Sequence, residues 1–196
     1  EIAQSEGATG RQFSRFWTHV EHLLVDDQKM SKSLGNTFTL SDLAERGYRP
    51  SAVRYLLLSA HYRKQLNFTW ASLTQMEESL RRLTDFLVRL DRVTTPGAHE
   101  AVTVRVDAAK AEFADAMKAD LNTAGALAAM FDLVRALNSA MDAGTLGTDD
   151  VAVVKAAFDG FDRVLGILSL RRAEEALPPV PVEEIDRLIE ERHAAR

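Results

Sequence analysis

The apolar positions in the second half of the chain recur at helical spacing. After Thr69, which suits a helix N-terminus, leucines and a methionine recur every three or four residues as far as about Val93 and predict a long amphipathic helix. A second helix is expected over about 103–119, a third after the capping candidate Asn122 and a fourth after Thr148. Short connections between four such helices predict an antiparallel bundle.

Before residue 69, the pattern of apolar and polar residues changes from one segment to the next. Apolar side chains three and four residues apart predict an amphipathic helix over Gly10–His22, and an apolar run at 23–25 predicts a short strand. The polar segment QKMSKSLGNT that follows has neither periodicity and predicts a loop. Ser41 is expected to cap a short helix that Gly47 ends, and Pro50 suits the first turn of the next helix. The apolar residues of the first predicted helix are Phe13, Phe16, Trp17 and Val20.

The composition limits the classes of protein to consider. With 46% hydrophobic and 27% charged residues, the chain of 196 residues is expected to be globular and not disordered. It contains no cysteine, which excludes disulfides and thiolate metal sites built from this chain alone and fits a cytoplasmic location. No apolar run has the length of a membrane-spanning helix, and no signal peptide is recognisable, so no membrane partner is expected.

Charge is unevenly distributed along the chain. The net charge is −5, yet residues 1–70 hold 9 Lys and Arg against 7 Asp and Glu. Within this segment, residues 49–64 contain basic side chains and no acid, which predicts a surface that faces phosphates. The alternative is a solvated helix face. The basic residues are Arg49, Arg54, Arg63 and Lys64.

The loop contains the sharpest candidate for chemistry, the string Lys29-Met30-Ser31-Lys32-Ser33. Two lysines three residues apart, with hydroxyl side chains between them and a glycine just after, can bind the phosphates of ATP. A lysine ammonium is a compact charge on a flexible stem, so it can follow the charge that develops on departing pyrophosphate. The string therefore predicts a catalytic role for Lys29 and Lys32, in a loop that binds ATP.

The same string is the second signature of the class I aminoacyl-tRNA synthetases, and the chain resembles the cysteinyl-tRNA synthetase family in particular. The likeness extends to EIAQSE, FWTH, SAVRYLLLSAHYRKQLNF and LNTAGALAAMFDLVRALN, in the same order. The resemblance implies an enzyme that activates cysteine with ATP and Mg²⁺ and passes it to the 3′ end of its tRNA. It also implies that Lys32 is the nearer lysine to the phosphates and that Trp17 and His19 lie near the substrate pocket.

Two further segments resemble family signatures. His61–Arg63 is expected to order the loop, to meet the acceptor stem of tRNA, or simply to pack at a helix end. Asp120–Thr123 is explained by helix capping alone.

The resemblance also implies a zinc ligand at Glu1. In the family, zinc is held by two cysteines, a histidine and a glutamate, and the glutamate corresponds to Glu1. Since this chain has no cysteine, the zinc site is expected to be incomplete here, with zinc bound only in a complete enzyme.

The expected fold is mainly α, with the end of a class I catalytic domain followed by the antiparallel bundle. Residues 1–69 are expected to hold the loop and the stem-contact region, and residues 70–170 the tRNA-binding type of bundle. Residues 171–182 are interpreted as a Pro-rich linker, and 183–196 as the first helix of a truncated anticodon-binding module. On this interpretation the chain is one part of a cysteine–tRNA ligase, a monomer when complete, and inactive by itself.

Two alternatives stay open at this point. One is the cysteine ligase of mycothiol synthesis, which has a related fold, a similar loop and no anticodon module. The other is a stand-alone helical tRNA-binding module without catalysis.

Overall fold

A computed structural model of the chain describes residues 1–176, 187–188 and 190–192. Within these residues the chain is mainly helical with one small sheet, as the sequence predicts. The helices are α1 (Ile2–Thr9), α2 (Leu40–Glu45), α3 (Pro50–Leu58), α4 (Trp70–Leu90), α5 (Glu100–Lys118), α6 (Thr123–Asp142), α7 (Val151–Leu165) and α8 (Leu168–Ala176). The strands are β1 (Leu24–Val25), β2 (Gln28–Lys29) and β3 (Asn67–Phe68).

Helices α4 to α7 form the predicted bundle. Thr69 and Ser72 make a reciprocal capping box at the start of α4, and the Asn122 side chain accepts a hydrogen bond from the Gly125 amide at the start of α6. The apolar stripes of the four helices meet in one core. Phe86 of α4 packs against Phe158 of α7, with 5.2 Å between ring centroids.

Two capping predictions are displaced by two residues. The N-cap of α2 is Thr39 rather than Ser41, because the Thr39 hydroxyl accepts a hydrogen bond from the Asp42 amide and the Asp42 carboxylate accepts one of 2.6 Å from the Thr39 amide, which completes a capping box. The N-cap of α7 is Asp150 rather than Thr148. Asp150 takes this position because its buried carboxylate accepts hydrogen bonds from Gly147 and from His99, which is distant in the chain. The contact with His99 is not visible in the local sequence.

The helix predicted over Gly10–His22 is wrong. Gly10 adopts a left-handed conformation that ends α1, and the residues from there to β1 are irregular. Phe16 is 87% exposed, and Trp17 and Val20 are also exposed. An amphipathic stripe stabilises a helix through the surface that it buries, and no described residue covers this stripe.

The predicted linker at 171–182 begins too early. Helix α8 extends to Ala176 and is held against α3 and α4 by Arg171, which is 5% exposed. Arg171 forms ion pairs with Glu77 of α4 at 2.7 Å and with Glu175 at 3.1 Å, while Glu174 accepts a 2.8 Å hydrogen bond from the Ser51 amide. The rest of the predicted linker lies outside the described residues. So does most of the helix predicted at 183–196.

The small sheet has the strand order β2-β1-β3. Strand β1 pairs antiparallel with β2, with Leu24 opposite Lys29, and parallel with β3, with Val25 opposite Phe68. Val25 and Phe68 are buried, so the sheet joins the same core as the bundle. This sheet carries the lysine-rich loop directly after β2. None of the helices that the structure describes is long and apolar enough to cross a membrane.

Candidate functional site

The lysine-rich loop leaves the sheet from a tight hairpin. Asp26 and Asp27 connect β1 to β2, and both have positive φ angles, 48° and 62°. Two such residues make the turn whose twist matches paired antiparallel strands, and Asp tolerates this conformation better than most residues. Asn67 stabilises the turn, since its side-chain oxygen accepts from the Asp27 amide at 3.0 Å and its amide donates to the Asp27 carboxylate at 2.7 Å. The sheet therefore fixes where the loop begins.

We call residues Lys29–Ser33 the KMSKS loop. Asn36 closes it: its side-chain oxygen accepts from the Ser31 amide at 2.8 Å, and its side-chain amide donates to the Lys29 carbonyl at 3.2 Å. Lys32 begins a single turn of 3₁₀ helix, which Gly35 ends at a φ of 65°. These bonds hold the backbone of the loop without using either lysine side chain.

The two lysine side chains of the KMSKS loop remain available. Lys29 and Lys32 are exposed, and neither ammonium group has an ion pair or hydrogen bond with any residue that the structure describes. Unpaired ammonium groups on a pinned backbone are what a polyphosphate ligand needs, because binding then breaks no internal ion pair. The hydroxyls of Ser31 and Ser33 lie 3.2 Å apart beside them. Binding of ATP phosphates by Lys29, Met30, Ser31, Lys32 and Ser33 stays a prediction with which this geometry is compatible.

An aromatic cluster supports the segment that follows the loop. Phe38 packs edge-on against Trp70 at 5.0 Å between centroids, and Tyr48 stacks on Trp70 at 5.7 Å. The Arg46 guanidinium lies 4.3 Å from the centroid of Trp70, a favourable cation–π distance. The cluster ties the loop to the first turn of α4. It was missed in the sequence because its members come from three separate segments.

Trp17 and His19 stay predictions as residues near the substrate. Both are exposed in the irregular segment before β1, where Trp17 packs on Phe13 at 5.8 Å between centroids. Among the described residues, no hydrogen bond, ion pair or ring contact joins either of them to the KMSKS loop.

The residues around Glu1 do not fit a zinc site. Glu1 is exposed at the start of α1, and its carboxylate makes no capping hydrogen bond there. The part of the chain that the structure describes holds no group of three or more His, Asp or Glu placed to bind a metal. One carboxylate cannot satisfy the four ligands that zinc prefers, so no step of the chemistry is assigned to zinc in this chain.

The four predicted phosphate-facing residues have different environments. Arg49 pairs with Glu175 at 3.4 Å, and Nε of Arg54 donates to the Leu165 carbonyl at the end of α7 at 2.6 Å. Arg49 thus joins the start of α3 to α8, and Arg54 joins α3 to the end of α7. Lys64 is exposed and has no partner among the described residues. A role of all four in tRNA binding stays a prediction, and Lys64 is the best placed for it.

Arg63 belongs to a polar cluster centred on Asp120. The Tyr62 hydroxyl donates to the Asp120 carboxylate at 2.7 Å, and Nε of Arg63 lies 2.8 Å from the same carboxylate. Nε2 of His61 lies 3.0 Å from the Asp120 carbonyl oxygen. The hydrogen bond from Tyr62, aided by the charge of Arg63, holds the pKa of Asp120 below its ordinary value. Asp120 was interpreted from sequence only as part of a helix cap.

The KMSKS loop and Asp120 each lie in a segment that matches the model of a known protein family. The family model described as the class I (C) tRNA synthetase catalytic domain matches residues 1–78, and that of the DALR domain matches residues 112–170. The first match contains the KMSKS loop, and the second contains Asp120, the end of α5, and helices α6 and α7.

Curated relatives cover the chain more completely. It is similar to the cysteine–tRNA ligase of Protochlamydia amoebophila, with 43% identity over 91% of this chain and 37% of the relative. It is 41% identical to that of Chlamydia trachomatis serovar D over 100% of this chain and 42% of the relative. The ligase of Koribacter versatilis is 45% identical over 86% of this chain and 34% of the relative. The chain thus spans about two fifths of the length of the relatives it matches.

Proposed function

Because the chain belongs to the cysteine–tRNA ligase family of class I aminoacyl-tRNA synthetases, we propose that it supplies the KMSKS loop and the helical bundle of such an enzyme. The enzyme activates cysteine with ATP and transfers the cysteinyl group to the 3′ end of its tRNA. The observation that carries the proposal is the KMSKS loop, whose backbone is pinned by Asn36 while Lys29 and Lys32 are unpaired.

In the first step, the cysteine carboxylate attacks the α-phosphorus of ATP, and pyrophosphate leaves. Negative charge grows on the bridging oxygen and on the departing pyrophosphate as the bond breaks. Lys32 and Lys29 stabilise that charge, since both are free to move onto it from a fixed backbone. Neither lysine acts as a nucleophile. Mg²⁺ would accompany ATP as a second source of positive charge at the phosphates.

In the second step, a hydroxyl of the terminal adenosine of tRNA attacks the activated carbonyl, and AMP leaves. The bundle is the part of this chain proposed to bind tRNA, which agrees with the match of the DALR domain to residues 112–170. Lys64 lies between α3 and β3 in sequence, shortly before the bundle, and its free ammonium is available to contact a phosphate. The bundle positions tRNA, while the loop acts on ATP.

The comparisons favour this function over both alternatives. The relatives described above carry the name of cysteine–tRNA ligase, which argues against the ligase of mycothiol synthesis. The intact KMSKS loop argues against a stand-alone module without catalysis.

The test uses the gene product that contains these 196 residues. We expect cysteine-dependent ATP–pyrophosphate exchange, no exchange with serine, and charging of tRNA that carries the cysteine anticodon. Serine is the matched control because it differs from cysteine only in its side-chain oxygen. Charging of the amine acceptor of mycothiol synthesis without charging of tRNA would contradict the proposal. The inactivity of the 196-residue chain alone stays a separate prediction, which the same exchange assay checks.

A further inference from the structure

The turn between α5 and α6 holds a pair of residues in an unfavourable backbone conformation. Asp120 and Leu121 have φ angles of 56° and 55°. The left-handed region costs an ordinary L-residue roughly 1 kcal/mol, and Leu lacks the local hydrogen bonds that help Asp to adopt it. Such a conformation persists where surrounding contacts determine it. Here the contacts run from Asp120 to another part of the chain.

Asp120 contacts three consecutive residues, His61, Tyr62 and Arg63, which we call the HYR segment. Its backbone oxygen lies 3.0 Å from the His61 ring, and its carboxylate binds the Tyr62 hydroxyl and the Arg63 guanidinium. The Tyr62 hydroxyl also accepts a 2.9 Å hydrogen bond from Nε of Arg63, so donors and acceptors in the cluster match. One carboxylate on the bundle thus fixes the HYR segment.

The HYR segment is in turn hydrogen-bonded to the residues that lead into β1. The Tyr62 carbonyl accepts a 2.9 Å hydrogen bond from the Glu21 amide, and the Leu66 carbonyl accepts one of 2.9 Å from the Leu24 amide. Leu24 is the residue of β1 that pairs with Lys29 of β2. Hydrogen bonds and short stretches of backbone therefore connect Asp120 to the strand pair from which the KMSKS loop begins.

We propose that Asp120 is a positioning residue that holds the bundle in register with the strands carrying the KMSKS loop. The inference rests on the proposed function, in which the bundle binds tRNA and the loop acts on ATP. Cysteine activation needs only the loop side, so it tolerates a loosened contact. Transfer to tRNA needs both sides in register, because small errors of position in the reacting atoms slow a reaction strongly.

The exposure of Asp120 separates this role from a purely structural one. Its side chain is 51% exposed, and exposed ion pairs contribute little to global stability. A role in overall stability would lower the unfolding temperature and both activities together. A positioning role lowers the transfer rate alone.

Two substitutions weaken the contact from opposite sides. Asp120→Asn removes the charge and keeps a residue type that tolerates positive φ. Tyr62→Phe removes the hydroxyl and keeps the ring. Asp115→Asn is the matched control, because Asp115 lies at the same end of α5 and, among the described residues, its carboxylate pairs only with exposed Lys118, at 3.5 Å.

The first measurement is hydrogen exchange of the Glu21 amide in the gene product that contains these residues. We expect it to accelerate about five- to tenfold in Asp120→Asn and Tyr62→Phe, and no further in the double variant, since both break one contact. Asp115→Asn should exchange like the unsubstituted chain. Unchanged exchange in both test variants would overturn the inference. This arm needs no enzyme activity, so it stands apart from the proposed function.

The second measurement is steady-state kinetics of the gene product. We expect the kcat of tRNA charging to fall about tenfold, while the KM for tRNA and the rate of pyrophosphate exchange stay within about threefold. Equal losses in charging and exchange, together with a lower unfolding temperature, would show a structural role and overturn the inference. If the unsubstituted protein shows no cysteine-dependent exchange at all, the proposed function fails instead.

Discussion

Asp150 provides a quantitative test of how the bundle is held at one end. Its side chain is 2% exposed, and its carboxylate accepts hydrogen bonds from the Gly147 amide at 2.9 Å and the His99 amide at 3.0 Å. Nδ1 of His99 lies 3.1 Å away. Since His99 and Asp150 are the N-cap residues of α5 and α7, the negative charge also lies at the favourable ends of two helices.

The substitution Asp150→Ala removes the acceptor and leaves two amides without a partner. An unsatisfied buried donor costs about 1–3 kcal/mol, so we expect the free energy of unfolding to fall by about 3–4 kcal/mol. At 2–4 °C per kcal/mol for a chain of this size, the unfolding temperature should fall by about 10 °C. Asp150→Asn keeps one oxygen and should cost about half as much.

The pH dependence of stability tests whether the negative charge of Asp150 causes the stabilisation. Burial raises the pKa of Asp150, but the hydrogen bonds from Gly147 and His99 outweigh it and hold the pKa below its ordinary value. A carboxyl group with a lowered pKa stabilises the fold above its unfolded pKa, and that contribution disappears as the pH falls through the folded pKa. The stability difference between the unsubstituted chain and Asp150→Asn should therefore shrink below about pH 4.

Urea unfolding monitored by circular dichroism, repeated between pH 3 and pH 7, measures these differences. Asp149→Asn is the control. The Asp149 carboxylate neighbours Asp150 in sequence but is exposed, so this substitution should change the free energy of unfolding by less than about 0.5 kcal/mol. The reasoning is refuted if Asp149→Asn costs as much as Asp150→Asn, or if the Asp150→Asn difference stays constant across the pH range.

Two further predictions concern tRNA binding and packing. In the gene product, Lys64→Ala should lower the slope of log affinity for tRNA against log salt by about 1. Lys110→Ala is the control, because Lys110 lies in an exposed ion pair on α5, and it should leave the slope unchanged. An unchanged slope for Lys64→Ala would show that Lys64 does not contact a tRNA phosphate. Gly147→Ala should lower the free energy of unfolding by about 2–4 kcal/mol, because its Cβ would overlap the Gly97 carbonyl oxygen. Gly160→Ala in α7, whose Cβ would meet only the Arg163 side chain at 4.0 Å among the described residues, should be neutral or stabilising in the same urea titration. Equal losses in both variants would disprove the packing argument.

The bundle was predictable because its signals are local. Thr69 and Asn122 cap helices through residues three positions along, and the stripes of α4 and α6 follow the helical period. The KMSKS loop was predictable for a similar reason, since its lysines, hydroxyls and glycine are contiguous. Information that lies within one turn or one loop is visible in the sequence.

The errors come from contacts between distant segments. Helix α8 continues past 171 because Arg171 pairs with Glu77, 94 residues earlier. The stripe from Phe13 to Val20 has helical spacing, yet it forms no helix where no described residue packs against it. Asp120 has the sequence context of a cap, and its bonds to the HYR segment depend on how the segment after α3 lies against the turn between α5 and α6. The spacing of apolar residues shows which face of a segment is apolar, but it does not show which other residues pack against that face.

The central claim is that the lysines of the KMSKS loop stabilise the transition state of cysteine activation. Single-turnover formation of cysteinyl-adenylate by the gene product, with Lys32→Ala compared with Lys110→Ala, tests it most directly. Losing a charge that acts on departing pyrophosphate should cost about 2–4 kcal/mol in the rate constant, or roughly 30- to 1000-fold, with the affinity for cysteine nearly unchanged. A collapse of cysteine affinity with the rate constant intact would contradict the claim.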